Sequence, residues 1–270
     1  MKKRLKTMNG IIFPKPTDVF VVSDVFGCYK ELQKMLEYWN RENEVLVFTG
    51  NVLHYGDDSL GCYTEIRRLQ KEYGAIVIRG EYEQELLHFV EALLKNGIDV
   101  LKEKKHMAHL VLHGGSNILE SFNQAPYDQK DLERILAVDF KRNYAVALRK
   151  WILEMPHFVK TPTYFVTHAG ADLRMKDLTK SSIEDLMNMP KFFLTQENYS
   201  GKKILFGAEY TADLRDSEDF RPYVSACGTK IGLNCGVLNN RWLTSFSSMS
   251  NEKIITTHRT EETVIYTLSE

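Results

Sequence analysis

Short apolar runs that end in glycine turns alternate with stretches whose apolar residues recur three or four apart, and this alternation fills the first third of the chain. Val19 to Val22 is too short for a helix and ends in Ser23-Asp24, which predicts a buried strand opening into a loop. Gly27 permits a tight turn before Leu32, Met35 and Leu36 recur at helical spacing. Glu44 to Thr49 predicts a second strand ending at Gly50, and Asp58 to Lys71 a helix with Leu60, Ile66 and Leu69 on one side. Ala75 to Ile78 predicts a third strand ending at Arg79-Gly80, followed by a helix over Gln84 to Leu94. Strand–helix units of this length imply a parallel sheet with right-handed crossovers. Asp24 then lies at the carboxyl end of a strand, where open α/β sheets place their sites.

From Lys95 to Phe158 the pattern changes. Strand character is confined to Leu110 to Leu112, whereas Asp128 to Met155 carries Leu132, Ile135, Leu136, Phe140, Tyr144 and Leu148 on one helical side. This predicts a helical cap inserted at about 95–158, over or beside the sheet. Strands return at Tyr164 to Thr167, Ile204 to Phe206, Ile231 to Leu233, Trp242 to Phe246 and Val264 to Leu268, with a further short one at Ile254-Ile255. The last three long runs have no helix between them, which predicts antiparallel pairing in a second sheet. Residues 18–270 read as one domain behind a basic arm at 1–17.

Composition narrows the class without naming it. The chain is 43% hydrophobic and 26% charged, so it buries a core and is not disordered. Lys+Arg 35 against Asp+Glu 36 leaves a net charge of -1, and no global field draws it to nucleic acid or an anionic membrane. Lys2, Lys3, Arg4 and Lys6 form a small basic cluster that reads as a solvated tail. The run after it, Ile11 to Phe13 before Pro14, is too short for a signal peptide, and no stretch approaches the roughly 18 apolar residues of a membrane span. Cys28, Cys62, Cys227 and Cys235 lack the paired spacing of a zinc site and fit a reducing cytoplasm. His106, His109 and His113 follow a lysine-rich turn and read as a solvated loop, and neither Cys28 nor Cys62 has a neighbouring base.

The strand ends carry the chemistry. They read SDVFG (Ser23 to Gly27), TGNVLHYG (Thr49 to Gly56), RGEYE (Arg79 to Glu83), THAG (Thr167 to Gly170) and FGAEYT (Phe206 to Thr211). In order and spacing they resemble the calcineurin-like metallophosphoesterases, in the phosphoprotein phosphatase branch, whose frame is GDxHG, GDxxDRG, GNHE, HAG and GHT. Bacterial and phage serine/threonine phosphatases and symmetrical diadenosine tetraphosphate hydrolases are the similar members. GCYKEL, DSLGCY, GGSNILESF and LNCGVLNNRWLTSF look like the connecting motifs, so the resemblance runs from about Val19 to Leu268. It implies a four-layer α/β/β/α sandwich of two mixed sheets with a helical cap insertion.

The same resemblance implies two divalent ions about 3.5–4 Å apart, held by carboxylates, imidazoles and an amide. Carried over position by position, Asp24 and His168 keep their residue type, while the other metal-site positions hold Phe26, Asn51, Glu81, Tyr82 and Ala208. His54 and Tyr55 stand where the family has an Asp-Arg pair, and Tyr82 where it has the general-acid histidine. With an ordinary pKa of about 10, a tyrosine is poorly matched to proton donation at neutral pH. The family's other phosphate-binding arginine aligns at Pro190.

Asp24 reads more simply as a cap on the turn or helix that follows it. His168 reads most simply as a satisfied buried histidine, and Asp24, His54, Glu81, Glu83 and His168 as a metal-free hydrogen-bonded cluster. Asp24, Phe26, Asn51, Glu81, His168 and Ala208 then mark a vestigial metal site, and no cofactor is expected. The alternative keeps a single Mg²⁺ or Mn²⁺ on Asn51, Glu81 and His168, completed by waters. The leading expectation is a catalytically impaired, pseudophosphatase-like protein that binds, scaffolds or regulates a protein partner, a phosphoprotein or nucleotide among the possibilities. The alternative is a residual metal-dependent phosphoesterase acting on phosphoproteins or dinucleoside polyphosphates.

Overall fold

A computed structural model describes residues 2–97, 115–124, 135–249, 252–260 and 262–268. Two mixed sheets stack face to face. In the six-stranded sheet, β3 (Asp18–Val22), β4 (Glu44–Phe48) and β5 (Ile76–Val77) run parallel. From β3 the sheet continues antiparallel through β11 (Trp242–Ser247) and β12 (Lys253–His258) to β13 (Thr263–Thr267) at its edge. The seven-stranded sheet runs from β1 (Leu5–Lys6) and β2 (Gly10–Ile12) through β6 (Phe158–Lys160), β7 (Tyr164–Thr167) and β8 (Lys203–Phe206) to β10 (Lys230–Gly232) and β9 (Tyr223–Val224).

The unbroken apolar run of β3 follows from burial on both faces. Val19 and Val21 point between the sheets, where they meet the layer that holds Val47, Val166, Leu205 and Phe246. Phe20 and Val22 point the other way, toward Leu32 of α1 (Tyr29–Met35), Ile66 of α2 (Ser59–Tyr73) and Val90 of α3 (Glu81–Asn96). Asp58 starts α2 by accepting from the Gly61 N–H at 2.7 Å, and Gly74 ends it with the left-handed φ of 73° that glycine tolerates. On the far side, α6 (Ile183–Met187) and its flanking turns bury Leu178, Leu186 and Phe193 against Phe165, Ile204 and Phe206. The order of layers is therefore helices, sheet, sheet, helix.

Within the stretch 95–158, anticipated as a helical insertion, the described residues form helix at 115–123 and 135–153, and Phe158 opens β6. α4 (Gly115–Asn123), a π-helical stretch at Ile135–Ala145 and α5 (Val146–Leu153) pack on α2 and α3. They add Phe122, Phe140, Leu148 and Trp151 to the same core. The anticipated strand at Leu110 to Leu112 and the histidines His106, His109 and His113 lie outside the described residues. Among the described residues no helix is long and apolar enough to cross a membrane.

Two expectations are corrected. The run at Ile231 to Leu233 does not join the antiparallel group. As β10 it lies parallel to β8, Ile231 opposite Leu205, because its apolar side chain fills the inter-sheet layer beside Leu205 and Val166. The chain then crosses to the other sheet before β11. The basic arm is likewise not simply a solvated tail: Leu5–Lys6 and Gly10–Ile12 form a hairpin whose second strand runs parallel to β6, and Ile11 is buried. Its charges remain outside, where the Arg4 guanidinium donates to the Gly74 carbonyl at 3.1 Å.

Phe246 joins the two sheets directly. It is fully buried, its ring edge-on to Tyr164 of the opposite sheet at 5.4 Å. Phe246→Ala should lower stability by about 3–5 kcal/mol, read as a lower urea midpoint at unchanged m-value. A loss below about 1 kcal/mol would show that this contact does not hold the layers together.

Candidate functional site

Hydrogen bonds tie together the loops that follow β3, β4, β5, β7 and β8. The Asp24 carboxylate accepts from the Asn51 side-chain amide (3.0 Å), the Ala208 N–H (3.1 Å) and the Thr49 hydroxyl (3.4 Å). The Glu83 carboxylate accepts from three backbone N–H groups: Asn51 and Val52 at 2.8 Å and Gly80 at 3.0 Å. The Tyr82 N–H donates to the Asn51 side-chain oxygen at 3.2 Å, so Asn51 spans from Asp24 to the start of α3. His168 Nδ1 bonds the Thr49 carbonyl at 2.9 Å, and the Gly207 N–H donates to the His168 carbonyl at 2.7 Å.

Close approach dictates the glycines here. A Cβ on Gly207 would lie 2.0 Å from Asp24 Oδ2, and one on Gly80 would lie 2.5 Å from Asn51 Oδ1. More telling are four residues that are not glycine but hold left-handed backbone: Phe26 (φ 52°), Asn51 (φ 49°), His54 (φ 98°) and Ala208 (φ 59°). This conformation costs an L-residue roughly 1–2 kcal/mol, so the surrounding hydrogen bonds must impose it.

Aromatic rings fill the space beside Asp24. Phe26 is buried and meets Tyr82 at 5.8 Å and Tyr55 at 6.1 Å, Tyr55 meets Tyr82 at 5.7 Å, and the His54 ring lies 5.1 Å from Tyr82. Such tilted and edge-on arrangements are favourable aromatic contacts. Burial, with the Tyr55 hydroxyl hydrogen-bonded to it, pushes the Tyr82 hydroxyl far above its ordinary pKa. Burial also raises Asp24 to about 8, opposed by N–H donors including Ala208. Glu81 is raised to about 7 by burial and by the neighbouring carboxylates Glu209 and Glu85. His168, fully buried, is lowered to about 4.

Several site expectations change on this geometry. Asp24 caps no helix: α1 begins at Tyr29 behind Cys28, and the Asp24 oxygens serve the second and fifth loops instead. His168 is only half satisfied, since its Nε2 is buried without a hydrogen-bond partner. Within the anticipated metal-free cluster, Asp24 and Glu83 are joined through Asn51 rather than directly. Pro190 sits against the THAG turn, its Cδ 2.9 Å from where a Gly170 Cβ would be. Sequence reasoning missed Thr49, Gly207, Glu209 and Tyr210, although all four stand in strand-end motifs that it had marked. Among the described residues, no three or more of His, Cys, Asp and Glu are grouped to hold a metal ion.

Two stacked mixed sheets with the loops of five strand ends meeting at one point define a metallophosphoesterase-like fold. The sequence model of the calcineurin-like phosphoesterases matches residues 17–220, and the chain belongs to that family. Over 68 residues the chain is 35% identical to serine/threonine-protein phosphatase 1 of Salmonella typhimurium. That stretch is 24% of this chain and 30% of the relative, so the match spans less than a third of the relative's length. Among solved structures, a candidate diadenosine tetraphosphatase is similar with a TM-score of 0.55 at 17% identity, over 98% of this chain and 100% of that one. The cold-active protein-tyrosine phosphatase of a psychrophilic Shewanella is similar with a TM-score of 0.53 at 12% identity, over 95% and 82%. At such identities the likeness is one of fold.

Asp24 gives a pH test. A carboxyl with a folded pKa of about 8, against 3.8 for the free group, contributes stability that is complete below pH 3.8 and is lost as pH rises through 8. The amide of the Asp24→Asn variant cannot ionise, so the melting temperature of that variant relative to the native chain should climb between these limits and level off above them. A difference that stays flat would show that Asp24 is ionised throughout this range and that burial does not raise its pKa.

Proposed function

We propose that this chain is a phosphatase-fold protein of impaired catalysis that acts by binding, scaffolding or regulating a protein partner in the cytoplasm. One observation carries the reading: the Asp24 carboxylate is already engaged by three donors from two other loops. The residues present do not fit the two-ion centre of the family. Phe26 and Ala208 supply no ligand atom at two aligned positions, and the amide of Asn51 is turned to Asp24 and the Tyr82 N–H. Phosphoryl transfer depends on positioned cationic charge, and Pro190, His54 and Tyr55 offer neither of the arginines that the family uses for it. Replacing ligands with packed aromatic rings removes polar groups that would otherwise be buried without partners.

The second reading is a residual metal-dependent phosphoesterase, and family membership by itself favours it. The specific observation on its side is His168 Nε2, a buried lone pair left open at a family ligand position. With Asn51 and Glu81 it makes at most three donors for one Mn²⁺ or Mg²⁺. A phosphoprotein or a dinucleotide would then be the substrate class, in line with the names of the similar proteins.

Metal analysis of the purified chain, combined with p-nitrophenyl phosphate turnover and melting temperature with and without Mn²⁺, separates the two. The outcome expected is sub-stoichiometric metal, no turnover and an unshifted melting temperature. One ion per chain with turnover abolished in Asp24→Ala would overturn the proposal. The combined variant Phe26→His, Asn51→Asp, Glu81→Asn, Tyr82→His and Ala208→His should gain Mn²⁺ binding by calorimetry. No gain in a folded variant would count against the placement of the motifs.

A further inference from the structure

The free edges of the two sheets are guarded except at one place. β1 and β9 flank the seven-stranded sheet and β5 closes one side of the six-stranded sheet, and each is only two residues long. β1 also carries Lys6 close behind Arg4, and Pro222 precedes β9. Shortness, lysine and proline are devices that stop an edge from pairing with another chain. β13 has none of them. Thr263–Thr267 (TVIYT) runs five residues without a charge or a proline, and no strand pairs with its outer side among the described residues. Ile265 is 52% exposed and Val264 38%.

The hydrogen bonds to β12 settle which backbone groups are left over. The His258 N–H donates to the Glu262 carbonyl at 2.9 Å, and the Leu268 N–H to the Glu252 carbonyl at 3.0 Å. Val264 lies opposite Thr256 and Tyr266 opposite Ile254, so Glu262, Val264, Tyr266 and Leu268 all turn their backbone groups toward β12. Thr263, Ile265 and Thr267 turn theirs outward. These three are spaced symmetrically about Ile265. A second β13 laid antiparallel on a two-fold axis through Ile265 therefore meets every outward N–H and C=O: Ile265 exchanges bonds with Ile265, and Thr263 with Thr267.

The side chains agree with that register. The face that carries Ile265 pairs Ile265 with Ile265 and Thr263 with Thr267, and the Tyr38 hydroxyl already donates to Thr263 Oγ1 at 3.1 Å. On the other face Val264 meets Tyr266 of the second copy on each side of the axis. β-Branched and aromatic neighbours of this kind are favourable cross-strand pairs. Beyond the strand Glu262 faces Leu268, so no like charges are set opposite each other. An uncharged strand has nothing with which to select an acidic or basic partner, whereas its own sequence suits every position.

We propose that two copies of this chain pair edge to edge at β13, antiparallel about Ile265, and so join their six-stranded sheets into one continuous sheet. β12 and β11 lie between β13 and β3, which makes this interface independent of the strand-end site and of whether that site is catalytic.

Sedimentation velocity on the full chain, over about 1 to 100 µM, tests it. The native chain should pass from the mass of one copy to the mass of two as concentration rises. Ile265→Lys and Ile265→Glu each set like charges against each other on the axis, and each should weaken self-association at least about tenfold. Mixed in equal amounts, the two variants should associate to within about threefold of the native chain, because a register that pairs position 265 with itself then sets opposite charges together. Ile265→Thr, which stays neutral and β-branched, should also remain within about threefold. Thermal melts of each variant confirm that it is folded. The proposal is overturned if the native chain stays monomeric over this range, whether or not the edge takes up a strand of another protein. It is equally overturned if the charged variants self-associate as the native chain does, or if their mixture stays monomeric.

Discussion

The buried carboxylate of Glu83 is the constraint on which the site depends. It takes three backbone N–H groups, from Asn51, Val52 and Gly80, and so fixes the loop after β4 against the start of α3. Burial drives its pKa upward and those three donors restrain the rise, which is what makes a carboxylate tolerable at that depth, with the Arg79 guanidinium acting on it as well. Asn51, held by its own N–H, can then direct its side chain to Asp24, and Asp24 reaches Ala208 in the loop after β8. One glutamate thus sets the register of several loops contributed by both sheets. The left-handed backbone at Asn51 and Ala208 is the strain that this linkage holds in place.

Around that frame Phe26, Tyr55, Tyr82 and His54 pack their rings together, which gains burial and aromatic contact beside Asp24. Among the described residues, His168 Nε2 stays buried at this site without a hydrogen-bond partner.

By itself the sequence determined the layered fold and the strand-end loops. Apolar runs such as Val19 to Val22 can be buried on both faces only between layers, and five glycine-bearing strand ends in fixed order specify how the loops converge. Residue type alone also says which atoms at Asp24, Phe26, Asn51, Tyr82, His168 and Ala208 can donate or accept. Only the tertiary structure decided what those atoms touch. Asp24 serves Asn51, 27 positions away, and Ala208, 184 positions away, instead of a helix end. Glu83 turns inward to the loop after β4, and Ile231 pairs with Leu205 across two strands that are not neighbours in sequence. Local pattern carries no information on such pairings. They are settled when the inter-sheet layer closes and every buried polar group must find its partner.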